Sequence, residues 1–183
     1  KPVQIDELEL HSGISIGMAL APFHAETKHH LQSYADIALN AVKANGRGDW
    51  EMFEPGMDAQ LHQRHSLARD LRQAVGRGEL RLFLQPLVDV ASETMTGYEA
   101  LLRWQHPERG LVPPDQFIPI AEETGLIVPI GEWVIRTALA EAAQWHGNET
   151  IAINLSPVQV ESPGLLPMVV NALAESGIDP ARV

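Results

Sequence analysis

Within the apolar stretch Gly97-Tyr98-Glu99-Ala100-Leu101-Leu102-Arg103-Trp104, a carboxylate and a guanidinium stand four residues apart. If the stretch is a strand, that even separation sends both side chains to one face. Lining a closed barrel or a cleft, each charge would need a partner, because an unpaired buried charge is costly. A metal ion on Glu99 and a phosphate on Arg103 would satisfy both. The alternative is a mutual ion pair or a solvated strand face. Asn154 is a second candidate, since it ends the strand-like Ile151-Ala152-Ile153 where the chain turns outward. Carboxyl ends of parallel strands are where barrel enzymes place ligands. A carboxamide oxygen suits a hard cation such as Mg²⁺ or Ca²⁺ and suits zinc poorly. Capping of the following turn is the competing role for this asparagine.

Other groups carry weaker signals. Gln85-Pro86 interrupts a strand-like run, and the proline places that run at a sheet edge or a bulge. Glu122-Glu123 reads as the solvated side of a short helix. The eight histidines lack metal-ligand spacing: His29 and His30 are adjacent, and His62 and His65 are three apart on a long polar helix. No dinucleotide fingerprint, P-loop, nucleophile elbow or zinc-protease motif is present. Lys43 and Arg47 flank Asn45-Gly46, where two cations could answer the negative end of a helix dipole or reach a bound phosphate.

The elements that must position these residues follow from patterning. The 183 residues are 45% apolar and 20% charged, enough apolar content to bury a core. With 13 Lys and Arg against 24 Asp and Glu the net charge is −11, which argues against binding a nucleic-acid polymer or an anionic membrane. The absence of cysteine excludes disulfides, zinc–thiolate sites and a cysteine nucleophile, and fits a reducing cytoplasmic setting. Apolar runs fall short of the ~18 residues of a membrane span. A strand is expected over Ser12 to Ala19, a helix over Lys28 to Ala44 stopped by Gly46, and a short strand over Trp50 to Phe53. Ala59 to Val75 reads as an exposed linker helix. Leu80 to Val90 and Thr94 to Trp104 read as a hairpin around Ala91-Ser92-Glu93. A proline-rich loop, a helical patch at Phe117 to Ala121, a helix over Ile130 to His146, a strand over Thr150 to Leu155 and a helix over Gly164 to Glu175 complete the pattern. The alternation predicts an α/β fold whose parallel sheet is buried on both faces.

Gly97 to Trp104 resembles the signature of the EAL-domain cyclic di-GMP phosphodiesterases, and its surroundings match as well. Phe83-Leu84-Gln85-Pro86 precedes it, while His106-Pro107, Gly110, Pro113, Phe117-Ile118, Ala121-Glu122 and Asn154-Leu155-Ser156-Pro157 follow in order. The upstream unit resembles the end of a GGDEF diguanylate cyclase domain through Ser15-Ile16-Gly17, Ala35-Asp36, Ala38-Leu39, Lys43 and Gly46-Arg47-Gly48. The resemblance implies a GGDEF tail over residues 1–57, a linker helix over 58–76, and over 77–183 the first part of a modified (β/α)₈ barrel whose first strand is antiparallel. It implies that Glu99 is catalytic and, with Asn154, ligates Mg²⁺ or Mn²⁺. Arg103 would then contact the substrate phosphate, and Gln85 and Leu101 would line the dinucleotide. The implied product is linear pGpG. Lys43 and Arg47 would meet the phosphates of GTP at the GGDEF domain, and a homodimer would form through the EAL domain.

The expectation is a piece of a longer protein, because the segment from Arg69 onward is under half of the ~250 residues of a complete barrel. The family's later carboxylates and catalytic lysine would follow Val183, so by itself this piece is expected to hydrolyse weakly or not at all. The protein that carries it is expected in the cytoplasm or tethered to a membrane through an upstream region. Asn40 and Asp49-Trp50 replace residues usual in active cyclases. A degenerate EAL domain that binds the dinucleotide as a receptor is the alternative function.

Overall fold

The computed structural model describes residues 3–5, 8–10, 13–44, 46 and 48–183, and the chain divides into two units, Lys1–His65 and Ser66–Val183. In the first, β1 (Val3–Ile5) and β2 (Leu8–Leu10) form an antiparallel pair. Strand β3 (Ile16–Met18) lies parallel to β4 (Trp50–Met52), with α1 (Lys28–Ala44) as the crossover. Helix α1 presses so close to β3 that a Cβ on Gly17 would stand 2.1 Å from the Ala35 carbonyl oxygen, which is why glycine occupies that position. Ala38 and Val42 of α1 are buried, and Gly46 adopts a positive φ just past the helix end. The strand expected over Ser12 to Ala19 pairs, among the described residues, at Ile16–Met18 alone.

Helix α2 (Met57–Ala74) starts directly after Gly56, two residues before the expected Ala59. Its later residues Leu67, Leu71 and Ala74 join the main core of the second unit. There, β5 (Leu80–Asp89) and β6 (Thr94–His106) form the expected antiparallel hairpin. The Asp89 carboxylate accepts hydrogen bonds from Ser92 Oγ at 2.7 Å, from the Ser92 amide at 2.7 Å and from the Ala91 amide at 3.1 Å. These bonds, the Ser92 hydroxyl first, hold its pKa below the usual carboxylate value. Their contribution to the turn is complete above that usual value and fades as pH falls through the depressed one.

Strand β7 (Gly110–Val112) forms inside the proline-rich loop, where no strand is expected, and pairs antiparallel with β6. Strand β8 (Thr150–Ile153) pairs with β6 in parallel. The expected parallel sheet is therefore corrected: of three pairings in this unit one is parallel. Short connections can only reverse a strand, and the long crossover through α3 (Pro114–Glu123) and α4 (Ile127–Ala142) is what returns β8 parallel to β6. Leu80, Leu82 and Leu84 sit opposite Trp104, Leu102 and Ala100 on the face toward the helices. The other face carries Arg81, Phe83 and Gln85 opposite Arg103, Leu101 and Glu99, with Phe83 50% exposed.

Helix α4 begins three residues earlier than expected because Pro129 sits in its first turn, where a missing N–H costs nothing. It ends at Ala142, so Trp145 lies past it, ring against Tyr98. A four-residue helix, α5 (Pro157–Val160), follows β8, then α6 (Leu165–Ser176) packs on α4, and a 3₁₀ turn spans Pro180–Arg182.

Pairing of β6 with β8 depends on a bare backbone at Gly97, where a Cβ would stand 2.3 Å from the Thr150 carbonyl oxygen. Gly97→Ala is expected to cost about 1–3 kcal/mol. Amide hydrogen exchange over Thr150–Ile153 should accelerate accordingly, and unchanged protection there would contradict the close approach.

Candidate functional site

Strand register assembles the site. Glu99 on β6 has Gln85 directly opposite on β5 and Ala152 directly opposite on β8. Two residues past Ala152 comes Asn154, whose Nδ2 donates to Glu99 Oε1 at 2.6 Å. Leu101 and Arg103 continue along the same face of β6, opposite Phe83 and Arg81. The Arg103 guanidinium lies 5.6 Å from the centroid of the Phe83 ring, and its Nη1 donates to the Leu102 carbonyl oxygen at 2.8 Å. Four of the five candidate residues of this unit thus lie on adjoining positions of one open sheet face, and the fifth reaches it from the end of β8.

Two competing roles are decided by this geometry. Among the described residues Glu99 and Arg103 form no ion pair; the carboxylate is taken by Asn154 and the guanidinium by Phe83 and a carbonyl. Asn154 does not cap the next helix either. Ser156 does, its Oγ accepting from the Val158 amide at 3.2 Å.

The donor set suits a hard divalent cation. Glu99 offers carboxylate oxygens, and a half-turn of the Asn154 carboxamide exchanges Nδ2 for Oδ1 beside them. Neighbouring ligands of an octahedral Mg²⁺ stand roughly 3 Å apart, near the spacing already set between these two side chains. Among the described residues no group of three His, Cys, Asp or Glu is placed to hold a metal. Glu99 and Asn154 are the side chains this face brings together that could hold such an ion.

The sequence misplaces Glu122. Its Oε1 accepts from Ser156 Oγ at 2.6 Å, so it faces the β8–α5 loop rather than solvent. Its partner lies 34 positions away, beyond any local pattern. Around it is a cavity of about 300 Å³ lined by Arg103, Ile118, Gly131, Asn154 and Ser156 among others. His106, part of the His106-Pro107 pair noted in the sequence, is buried: its Nδ1 accepts from the amides of Glu108 and Arg109, and its Nε2 faces Asp70 at 3.5 Å. His62 pairs with Asp58 on α2, as a solvated helix face would. Lys43 is exposed in the last turn of α1, in the other unit, and Arg47 lies outside the described residues.

The family comparison adds to this geometry. The sequence model of the EAL domain matches residues 68–183. The chain belongs to the EAL domain family. An uncharacterized signaling protein of Caulobacter vibrioides is 44% identical over all of this chain and 22% of its own length. The bifunctional diguanylate cyclase/cyclic di-GMP phosphodiesterase MucR of Pseudomonas aeruginosa is 42% identical over all of this chain and 27% of its own. The chain thus spans about a quarter of the length of these curated relatives. Among solved structures, the complex of the PaMucR phosphodiesterase with c-di-GMP superposes with a TM-score of 0.62 at 46% identity, covering 64% of this chain and 49% of that one. The mixed α/β arrangement of the second unit is accordingly that of EAL domains. No helix among the described residues is long and apolar enough to cross a membrane.

Proposed function

We propose that this EAL domain belongs to a metal-dependent phosphodiesterase that hydrolyses cyclic di-GMP to linear pGpG. The observation that carries the proposal is the contact of Glu99 with Asn154, made on the sheet face that also presents Arg103. Glu99 and Asn154 would hold Mg²⁺ or Mn²⁺. When bound, the ion polarises a phosphoryl oxygen and lowers the pKa of the attacking water. Arg103 orients the phosphate. Its guanidinium rests on Phe83 and spends one N–H on Leu102, which leaves its remaining donors for phosphate oxygens. Leu101 and Phe83 form an apolar floor beside it, and Gln85 offers an amide to the dinucleotide from across the register.

The same proposal extends to the rest of the chain. Residues 1–57 form the end of a GGDEF domain, 58–76 a linker helix and 77–183 the first part of an EAL barrel. The β3–α1–β4 crossover supports the first of these, with Lys43 and Arg47 as contacts to the phosphates of GTP. The protein works in the cytoplasm and pairs through its EAL domains.

The test is hydrolysis of cyclic di-GMP by the full-length protein with Mg²⁺ or Mn²⁺, after chelation, and after the metal is restored. Linear pGpG should appear, stop and reappear. Binding of the dinucleotide with no turnover under any of these conditions would make the protein a receptor and overturn the proposal. Arg103→Ala is expected to raise KM about 10–100-fold, the worth of a charged hydrogen bond to phosphate, with a smaller change in kcat. Steady-state kinetics check this, and an unchanged KM removes Arg103 from the phosphate.

A further inference from the structure

The loop that carries Asn154 is anchored at its far end by groups that lie outside the strands of the sheet. Ser156, two residues on, is buried and makes three hydrogen bonds: its Oγ donates to Glu122 Oε1 at 2.6 Å and accepts from the Val158 amide, and its own amide donates to Gln159 Oε1 at 3.1 Å. Gln159 is 4% exposed, and its carboxamide lies directly on the backbone of Gly131, where a Cβ would stand 1.9 Å from Nε2. Glu122 lies in the last turn of α3 and Gly131 belongs to α4, so two helices fix one short loop. The other end of that loop is the β6–β8 pairing, which stops at Ala100 and Ile153. Asn154 is itself exposed, and its carboxamide has freedom that only its neighbours can remove.

From this arrangement we propose that Glu122 is a positioning residue: through Ser156 it holds the β8–α5 loop so that the Asn154 carboxamide stays against Glu99. The inference rests on the metal-binding role proposed above for that pair. A carboxylate suits the task because its oxygens only accept, which fixes the Ser156 hydroxyl as the donor of that bond. It also explains a carboxylate in a cavity otherwise lined largely by apolar groups. Groups that orient a metal's ligands from behind typically change metal affinity by about 10–100-fold when removed.

The test is Mn²⁺ binding to the full-length protein, read by electron paramagnetic resonance, with melting temperature followed in parallel. Glu122→Ala and Ser156→Ala should each weaken Mn²⁺ binding by about tenfold or more, and Glu122→Gln, which keeps an acceptor for the Ser156 hydroxyl, should stay within about threefold of native. A merely structural role would lower the melting temperature and leave the Mn²⁺ affinity of the folded protein unmoved, which would overturn the inference. So would a Glu122→Gln protein as weak as Glu122→Ala, since charge rather than the serine bond would then matter. Should Glu122→Ala not fold, Ser156→Ala carries the same comparison. Glu99→Ala separates the two levels. If it abolishes Mn²⁺ binding while the Glu122 and Ser156 variants bind normally, the positioning role alone fails. If the native protein binds no Mn²⁺, or Glu99→Ala binds it as well as native does, the metal reading fails and takes the positioning role with it.

Discussion

Glu99→Gln is expected to lower kcat for cyclic di-GMP hydrolysis by about a thousandfold or more while leaving binding of the dinucleotide measurable. Glutamine keeps the length of the side chain and an oxygen able to accept from Asn154, so the contact seen at 2.6 Å can survive. What it loses is the negative charge, and with it most of the affinity for a hard cation. Metal polarisation of a phosphoryl oxygen is worth several kcal/mol of transition-state stabilisation, and each 1.36 kcal/mol is about tenfold in rate. Rapid-quench or chromatographic assay of pGpG, beside calorimetric binding of cyclic di-GMP, reads both quantities. Turnover within about tenfold of native would mean that Glu99 ligates no catalytic metal.

Trp104→Ala should give the largest loss of stability in the second unit, about 3–5 kcal/mol. The indole is 0% exposed, meets Phe117 edge-on at 5.7 Å and His106 at 5.2 Å, and donates through Nε1 to Glu79 Oε2 at 3.0 Å. Removing it opens a cavity at the centre of a cluster that joins α2, β5, β6, α3 and α4. It also strips a partner from Glu79, whose side chain is only 11% exposed. Trp104→Phe should cost less, since it keeps most of the volume and forfeits the hydrogen bond, worth about 1–3 kcal/mol when a charged acceptor is involved. Urea denaturation followed by circular dichroism distinguishes the two, and equal midpoints for both variants would show that packing contributes little there.

Trp104 and Glu99 also show how far the sequence could be read. A period of two sorts β6 into faces, which is why Glu99 and Arg103 could be placed together, and the same period sets Trp104 on the opposite face. The cross-strand partner of Glu99 could not be read off in the same way. Gln85 faces it only because the hairpin slips by a bulge between Leu87 and Val88, and a slip of one residue reverses every face. Strand β7 escaped because three residues between a buried histidine and a proline carry no period to detect. The Glu122-Glu123 pair predicts a solvated helix side, whereas the partner of Glu122 is Ser156, 34 positions further along the chain. Local sequence allows Asn154 two roles, and the cap belongs to Ser156. Local chemistry was legible in each case; the long-range partner was not.

The contact between Asn154 and Glu99 spans 55 positions of sequence, whereas Asp89 and Thr94 of the hairpin meet across a single turn. Closing a loop about ten times longer costs about 2 kcal/mol more chain entropy. Non-local strand pairs form late for that reason, after local hairpins and helices have reduced the search. The β5–β6 hairpin can therefore present Glu99 and Arg103 early during folding, but the pair that would bind metal exists only after α3 and α4 have formed and β8 has docked. Substitutions at Thr150–Ile153 should accordingly speed unfolding more than they slow folding. A chain caught before that docking step would carry every residue of the site and have no site.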